Sequence, residues 1–313
     1  MILVTGGAGF IGAHTVRALV ERGESCVIAQ RRASGWPADL DGRVAVERVD
    51  IGDLEALRAI GTRHRITGIV HLAGSIPPWP SGGEQPIAEA RKALDGLLNI
   101  VQVADEWGVK RLGIASTIGI YFGAELDGAV PEDLPLPMTI GHVIPGFKKI
   151  GELLGDHLAT SAGIDIVHYR ISAIWGPRGR NDPFFAAPAL VNAAVNGTAP
   201  ELSHMAQPPY AEDAIDLCYV KDCASAIAAL QLADVLHHRV YNVASGRATS
   251  NAEVIAAIKR AIPDARVDLP HREPTPGFHL DTTRLRADTG FAPAYDVDRA
   301  VADYVEWLRA IAA

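Results

Sequence analysis

The sequence predicts an α/β fold, a doubly wound parallel sheet with a smaller C-terminal lobe. Three observations carry this. Short apolar runs alternate with helical patterns from Met1 to Tyr169. A glycine-rich turn joins the first run to the first helical pattern. After Trp175 the texture changes to a proline-rich one. Alternation of this kind makes βαβ units, which put helices on both faces of a parallel sheet.

Taken in order, Met1–Val4 reads as a strand and His14–Arg22 as a helix. Ser25–Ala29 and Arg43–Val49 are the next strands, Leu54–Ile60 is helical, and Gly68–Leu72 is the fourth strand. A long amphipathic helix follows over Ala88–Glu106, then a strand at Arg111–Ala115, a helix at Phe147–Ala159 and a strand at Ile164–Tyr169. The strand runs are short and apolar, as strands covered on both faces are. Gly176–Pro209 is loop-rich, and such segments often cover a site held by a rigid sheet. Tyr219–Leu230 and Val240–Ala244 read as returns to the main sheet.

The chain has 313 residues and a net charge of −8, with no long cationic run, so nothing points to nucleic acid. No apolar run reaches the roughly 18–20 residues that span a bilayer. The first strand begins at Ile2, leaving no room for a leader, so the expected location is cytoplasmic. Cys26, Cys218 and Cys223 are odd in number and lack metal-ligand spacing. They read as reduced, buried thiols, with no metal site.

The strand Ile2–Val4 runs into Thr5-Gly6-Gly7-Ala8-Gly9-Phe10-Ile11-Gly12. Gly6 permits a tight turn, Gly9 lets the backbone approach a pyrophosphate, and Gly12 allows close helix–strand packing. The helix N-terminus offers N–H donors and a positive dipole to that anion. The context, strand before and helix after, makes this a Rossmann dinucleotide turn. The second strand then ends Ala29-Gln30-Arg31-Arg32. An acidic residue there would favour NAD, whereas arginine can grip a 2′-phosphate. Arg31 and Arg32 therefore favour NADP(H), with NAD(H) as the alternative. The expected division is a dinucleotide-binding domain over 1–174 with returns near 219–244. A substrate-binding lobe is expected over 175–218 and 245–313.

With these motifs the sequence resembles the extended short-chain dehydrogenases/reductases of the NAD-dependent epimerase/dehydratase family. Thr5–Gly12 is similar to the family's TGGxGFIG. Asp50-Ile51 resembles its adenine-contacting pair, and His71-Leu72-Ala73-Gly74 its HxAG cofactor segment. Trp175-Gly176-Pro177-Arg178 resembles YGPR, Val220-Lys221-Asp222 matches V-x-D, and Tyr241-Asn242-Val243 matches the late YN strand. The resemblance implies a cofactor on Gly6, Gly9, Phe10, Ile11, Gly12, Asp50, Ile51, Leu72, Ala73, Gly74 and Lys148. It also implies a homodimer built on the two long helices, with Leu94, Leu97, Leu98, Val101, Leu153 and Leu154 either in the seam or in the subunit's own core.

The family's catalytic set is a Ser/Thr with a Y-x-x-x-K pair. Ser116–Tyr121 resembles SSxxVY and puts Thr117 in the hydroxyl role; Lys148–Glu152 resembles K-x-x-G-E and puts Lys148 in the lysine role. Four residues before Lys148, however, stands Ile144, which cannot exchange a proton. Tyr121 and His142 are the nearby groups that can replace it, against structural readings for both. Pro145 and Gly146 make an irregular helix start here. The N-x-x-G asparagine is Ala93. The arginine that grips a sugar-nucleotide diphosphate is Ile215, with Asp213 and Asp216 beside it as a repelling pair. Trp79, Trp175, Phe184, Phe185, Met205 and Tyr210 are candidate aromatic and apolar walls. The expected function is an NADP(H)-binding oxidoreductase for a small, fairly apolar carbonyl, alcohol or tailoring intermediate, with rearranged acid/base. The alternatives are a non-redox isomerase, lyase or cyclase, and a non-enzymatic cofactor sensor.

Overall fold

The computed structural model describes residues 1–31, 42–74, 85–139, 141–274 and 277–312. Seven strands form the central sheet: β1 (Ile2–Thr5), β2 (Cys26–Gln30), β3 (Val44–Arg48), β4 (Gly68–His71), β5 (Leu112–Thr117), β6 (Ile166–Ile171) and β7 (Val240–Val243). Their order is β7-β6-β5-β4-β1-β2-β3, and every pairing is parallel. The strand order reverses between β1 and β4. In open parallel sheets, that is where a crevice opens beyond the strands' C-terminal ends.

Nine helices accompany the sheet among the described residues: α1 (Phe10–Glu21), α2 (Leu54–Arg63), α3 (Pro86–Glu106), α4 (Val143–Ala162), α5 (Ala187–Asn196), α6 (Val220–Leu232), α7 (Asn251–Ala261), α8 (Thr283–Thr289) and α9 (Val297–Ala312). Val16 and Leu19 of α1 and Ile227 and Leu230 of α6 bury one face of the sheet with Val4, Ile28 and Tyr169. Leu57, Ile60, Ile100 and Val103 from α2 and α3 cover the other face with Leu3, Val27 and Ile69. A second core joins Trp175, Leu190, Val191, Tyr219, Val254, Ile258, Val301 and Tyr304.

Two expectations need correction, and a third takes a specific form: over Tyr219–Leu230 the return to the sheet is made from Val220 by α6, packed beside α1. Its buried Cys223, Ala224, Ile227, Ala228 and Gln231 keep helical spacing, and their small side chains allow close approach. The first helix starts at Phe10, four residues before His14, because the glycine turn itself supplies the helix's first turn. Finally, α4 begins regularly at Val143, with Gly146 N–H already bonded to His142 O at 3.3 Å. Pro145 sits in the first turn, where its missing N–H costs nothing.

The three cysteines are free and buried, and burial pushes the Cys26 thiol up to about 12. On α3 and α4, Val101 is buried in the subunit's own core. Leu98 and Leu153 are exposed, and Leu94, Leu97 and Leu154 are half-buried.

Candidate active site

The glycine turn leaves β1 at the switch point. Gly6 has φ +69°, a conformation glycine adopts freely, and its α-carbon side faces the Leu72–Ala73 backbone. Gly9 N–H returns to Gly6 O at 2.9 Å. A Cβ on Gly12 would lie 2.1 Å from the Gly6 carbonyl oxygen, so only glycine fits there. No side chain caps α1 and no acid stands in its first turn. The Phe10, Ile11 and Gly12 N–H groups have no intrahelical acceptors, by the geometry of any helix start. The turn is therefore a cradle of donors that an anion fits.

The neighbouring strand ends close around it. Thr5 Oγ1 lies 2.7 Å from His71 Nδ1 and accepts the Ala73 N–H at 3.2 Å, which ties β4's exit to β1's. Burial, with a smaller contribution from the Lys148 charge, holds His71 neutral with its pKa down to about 3. Beyond β3, Asp50 accepts the Gly52 N–H at 3.0 Å and has Lys92 Nζ at 3.3 Å and Arg31 Nη1 at 3.8 Å. Burial pulls its pKa up, but these partners outweigh burial and leave it lowered. Arg31 thus turns toward the Asp50 side of the crevice. Arg32 and Trp79 lie outside the described residues. Arg178, at φ 69°, donates to Ala8 O at 3.2 Å, and His14 Nε2 bonds Pro177 O at 3.0 Å. These two contacts clamp the Trp175–Arg178 segment onto the glycine turn.

Farther along the edge, β5 ends at Ser116-Thr117. Thr117 is half-buried, and its Oγ1 accepts the Gly119 N–H at 3.2 Å. Lys148 Nζ donates to Ala115 O at 2.6 Å, and burial lowers its pKa to about 8 despite the Glu152 charge. α4, which carries Lys148, packs on β5, which ends at Thr117, and on the short turn Ile118–Tyr121. A Cβ on Gly119 would meet Pro145 Cγ at 2.9 Å. Ile144 is 39% exposed, so an aliphatic side chain stands where the resemblance places a tyrosine. His142 caps α4, its Nδ1 accepting the Ile144 N–H at 3.2 Å, and its ring meets Phe184 edge-on at 6.3 Å.

Tyr121 is placed differently. It is fully buried, donates to Asn242 Oδ1 at 2.9 Å and accepts from Arg170 Nη1 at 2.7 Å. Burial pushes its pKa up to about 12. Its hydroxyl is spent inside the protein and does not join Thr117 and Lys148. It belongs to a network that sequence reasoning missed: Ser116 donates to Glu152 Oε1 at 2.5 Å, and Arg170 grips both Glu152 oxygens. The available signal was period-two spacing, since Ile166, His168 and Arg170 share one strand face.

Around Ile215 the structure gives a different picture from a repelling acidic pair. Asp216 is fully buried and accepts from Ser245 N–H, Ser245 Oγ, Gly246 N–H and Leu280 N–H. Asp213 pairs with Arg272, which stacks over the Tyr210 ring. Of the candidate walls, Trp175 and Phe185 are buried in the second core and Met205 packs against it. Phe184 is 52% exposed and Tyr210 half-buried.

A sequence model of the NAD dependent epimerase/dehydratase family matches residues 2–244. A UDP-glucose 4-epimerase from Azospirillum brasilense is 26% identical, the match covering 99% of this chain and 92% of the relative. A dTDP-glucose 4,6-dehydratase from Streptomyces griseus is 27% identical over 98% of this chain and 93% of its own. The structure of a Thermus thermophilus UDP-glucose 4-epimerase complexed with NAD superposes with a TM-score of 0.73, at 26% identity, covering 98% of both chains.

Proposed function

The chain belongs to the NAD dependent epimerase/dehydratase family, and from that premise we propose that it is an NADP(H)-dependent oxidoreductase of the extended short-chain type with a rearranged acid/base. Its substrate in this reading is a small, fairly apolar carbonyl, alcohol or tailoring intermediate. The observation that carries the reading is convergence. Gly6–Gly12, Arg31, Asp50-Ile51, Leu72–Gly74, Thr117 and Lys148 all lie at the C-terminal edge of one sheet, around its switch point. Phe10, Ile11 and Gly12 N–H would receive the pyrophosphate, and Asp50-Ile51 and Leu72–Gly74 would line the adenosine half. Bound there, the cofactor supplies hydride exchange. Thr117 orients the reacting oxygen through its hydroxyl, and Lys148 holds the nicotinamide ribose and places a positive charge beside that oxygen.

Gln30 and Arg31 support the 2′-phosphate, although the relative of known structure was captured with NAD. The proton role falls to His142 rather than Tyr121, because His142 is partly exposed at the start of the helix that carries Lys148 while Tyr121 is consumed in the core. The relatives are named for UDP-glucose and dTDP-glucose. This chain has Ile215 where a diphosphate-gripping arginine is expected, and Ile144 and Phe184 are exposed apolar side chains, close to His142 in sequence and in ring contact with it respectively, which supports an apolar substrate. The lobe over 175–218 and 245–313 would bind that substrate. A second copy of the chain would cover the exposed Leu98 and Leu153. The test is NADPH oxidation against a panel of carbonyl compounds. A hit is expected, with Lys148→Ala and Thr117→Ala each lowering kcat/KM by about 100-fold or more. Turnover undiminished by both changes would refute the assignment.

A further inference from the structure

The segment over 175–185 joins the glycine turn to the second core. Trp175 and Phe185 are buried in that core, while Pro177 and Arg178 touch the turn side. Three contacts make the junction. His14 Nε2 bonds Pro177 O at 3.0 Å, and Arg178 Nη2 donates to Ala8 O at 3.2 Å. A Cβ on Gly179 would lie 2.9 Å from Phe10 Cζ, so the absence of a side chain there lets the backbone rest on the Phe10 ring. Ala8 and Phe10 flank Gly9 in the turn itself.

His14 lies inside α1, and burial lowers its pKa to about 4 against the opposing bond to Pro177. A carbonyl only accepts, so the neutral ring carries its proton on Nε2 and donates. Among the described residues Arg178 is the only non-glycine with positive φ. A side chain is strained in that conformation, which persists where its surroundings hold it. Beyond the junction the segment is bonded to itself and to the lobe. Gly179 N–H returns to Gly176 O at 3.0 Å, Phe184 N–H to Asp182 Oδ1 at 2.9 Å, and Pro183 O accepts the Ala206 N–H at 2.9 Å. The Phe184 ring then meets His142. One short bonded segment thus runs from the glycine turn to the residue given the proton role.

We propose that His14 is a positioning residue: through Pro177 it couples a nucleotide on the glycine turn to the docking of residues 179–184, so that the cofactor assembles the substrate side of the site. The proposal rests on the reading of the glycine turn as the nucleotide's seat. An anion on the Phe10, Ile11 and Gly12 N–H groups fixes the turn. With it are fixed Ala8 O and the Phe10 ring, on which Arg178 and Gly179 rest, so docking then costs less conformational freedom. The Arg178 guanidinium is also drawn toward a diphosphate by charge. Both effects favour the docked segment over the undocked one, which is what a ligand must do to shift an equilibrium. His14 holds Pro177 in place for both contacts.

The test is hydrogen–deuterium exchange of the full chain, freed of bound nucleotide, with and without saturating NADPH. The quantity read is the ratio of the two exchange rates over residues 179–184. In wild type NADPH should slow exchange there by about tenfold or more. The ratio should fall to about twofold or less in His14→Leu, and stay within about threefold of wild type in His14→Gln, whose amide keeps a donor for Pro177 O. A ring that only stabilised the fold would speed exchange equally with and without nucleotide. An unchanged ratio in His14→Leu would therefore overturn the proposal, as would equal loss in both variants or no protection in wild type. Should the leucine variant not fold, Arg178→Gly decides. Glycine adopts φ 69° freely, and loss of the Ala8 contact should lower the ratio by about threefold or more, an unchanged ratio again overturning the coupling. Calorimetric titration is a separate arm. Nucleotide binding without protection removes the coupling alone, whereas a protein that binds neither NADPH nor NADH removes the cofactor reading and the coupling with it.

Discussion

At the scale of single residues, Ile144 and Tyr121 are placed in opposite environments. Ile144 is exposed at the site, and Tyr121 is locked between Asn242 and Arg170. Tyr121→Phe removes two hydrogen bonds and takes one partner each from an Arg170 N–H and from Asn242 Oδ1 in the interior. It should cost about 1–3 kcal/mol in urea unfolding and change NADPH affinity and turnover little. A hundredfold loss of turnover with stability intact would instead make Tyr121 the proton donor. The sequence showed that the Y-x-x-x-K tyrosine is missing, but it could not tell which neighbour faces the site. That depends on burial, and Tyr121 is drawn inward by Arg170 and Asn242, which are distant in sequence.

Among the elements, the β1–turn–α1 unit was legible because its glycines are required by backbone contacts. Gly12 has no room for a methyl group against Gly6 O. Gly12→Ala should therefore distort the turn and abolish nucleotide binding by calorimetry, while Gly23→Ala, with no neighbour in reach but at φ +95°, should cost only backbone strain of about 1–2 kcal/mol. Retained affinity in Gly12→Ala would show that the cofactor does not use this turn. The order of alternating strands and helices was legible because the inner strands β1, β2 and β4 are short and buried on both faces. Boundaries were less so. The starts of α1 and α4 lie in Gly- and Pro-containing segments, which read from sequence as breaks although glycine and proline are tolerated in a helix's first turn. In α6, a run of small apolar residues reads equally as strand or helix until α1 is seen to cover it.

For the whole molecule, burial of neutral histidines links stability to pH. His14 and His168 are lowered to about 4 and His71 to about 3, chiefly by desolvation. Above the unfolded value of 6.5 both states are neutral and the link contributes nothing. Below it the unfolded chain takes up protons that the fold refuses, so stability falls from pH 6.5 down to about 4, by about 1.4 kcal/mol per histidine per pH unit. Glu132, Asp216 and Asp222 act in the opposite sense, because burial raises their carboxyls. Urea unfolding at pH 7 and pH 5 should show a net loss, and His14→Gln should recover part of it; a flat profile would mean these rings are protonated in the fold. The same architecture gathers the glycine turn, Asp50, Ala73, Thr117 and Lys148 at one sheet edge, which is the central claim. It is tested most directly by calorimetric titration of protein freed of bound nucleotide with NADPH and with NADH. Saturable binding of both, with NADPH tighter by about tenfold or more, is the expected result. Failure to bind either would contradict the account.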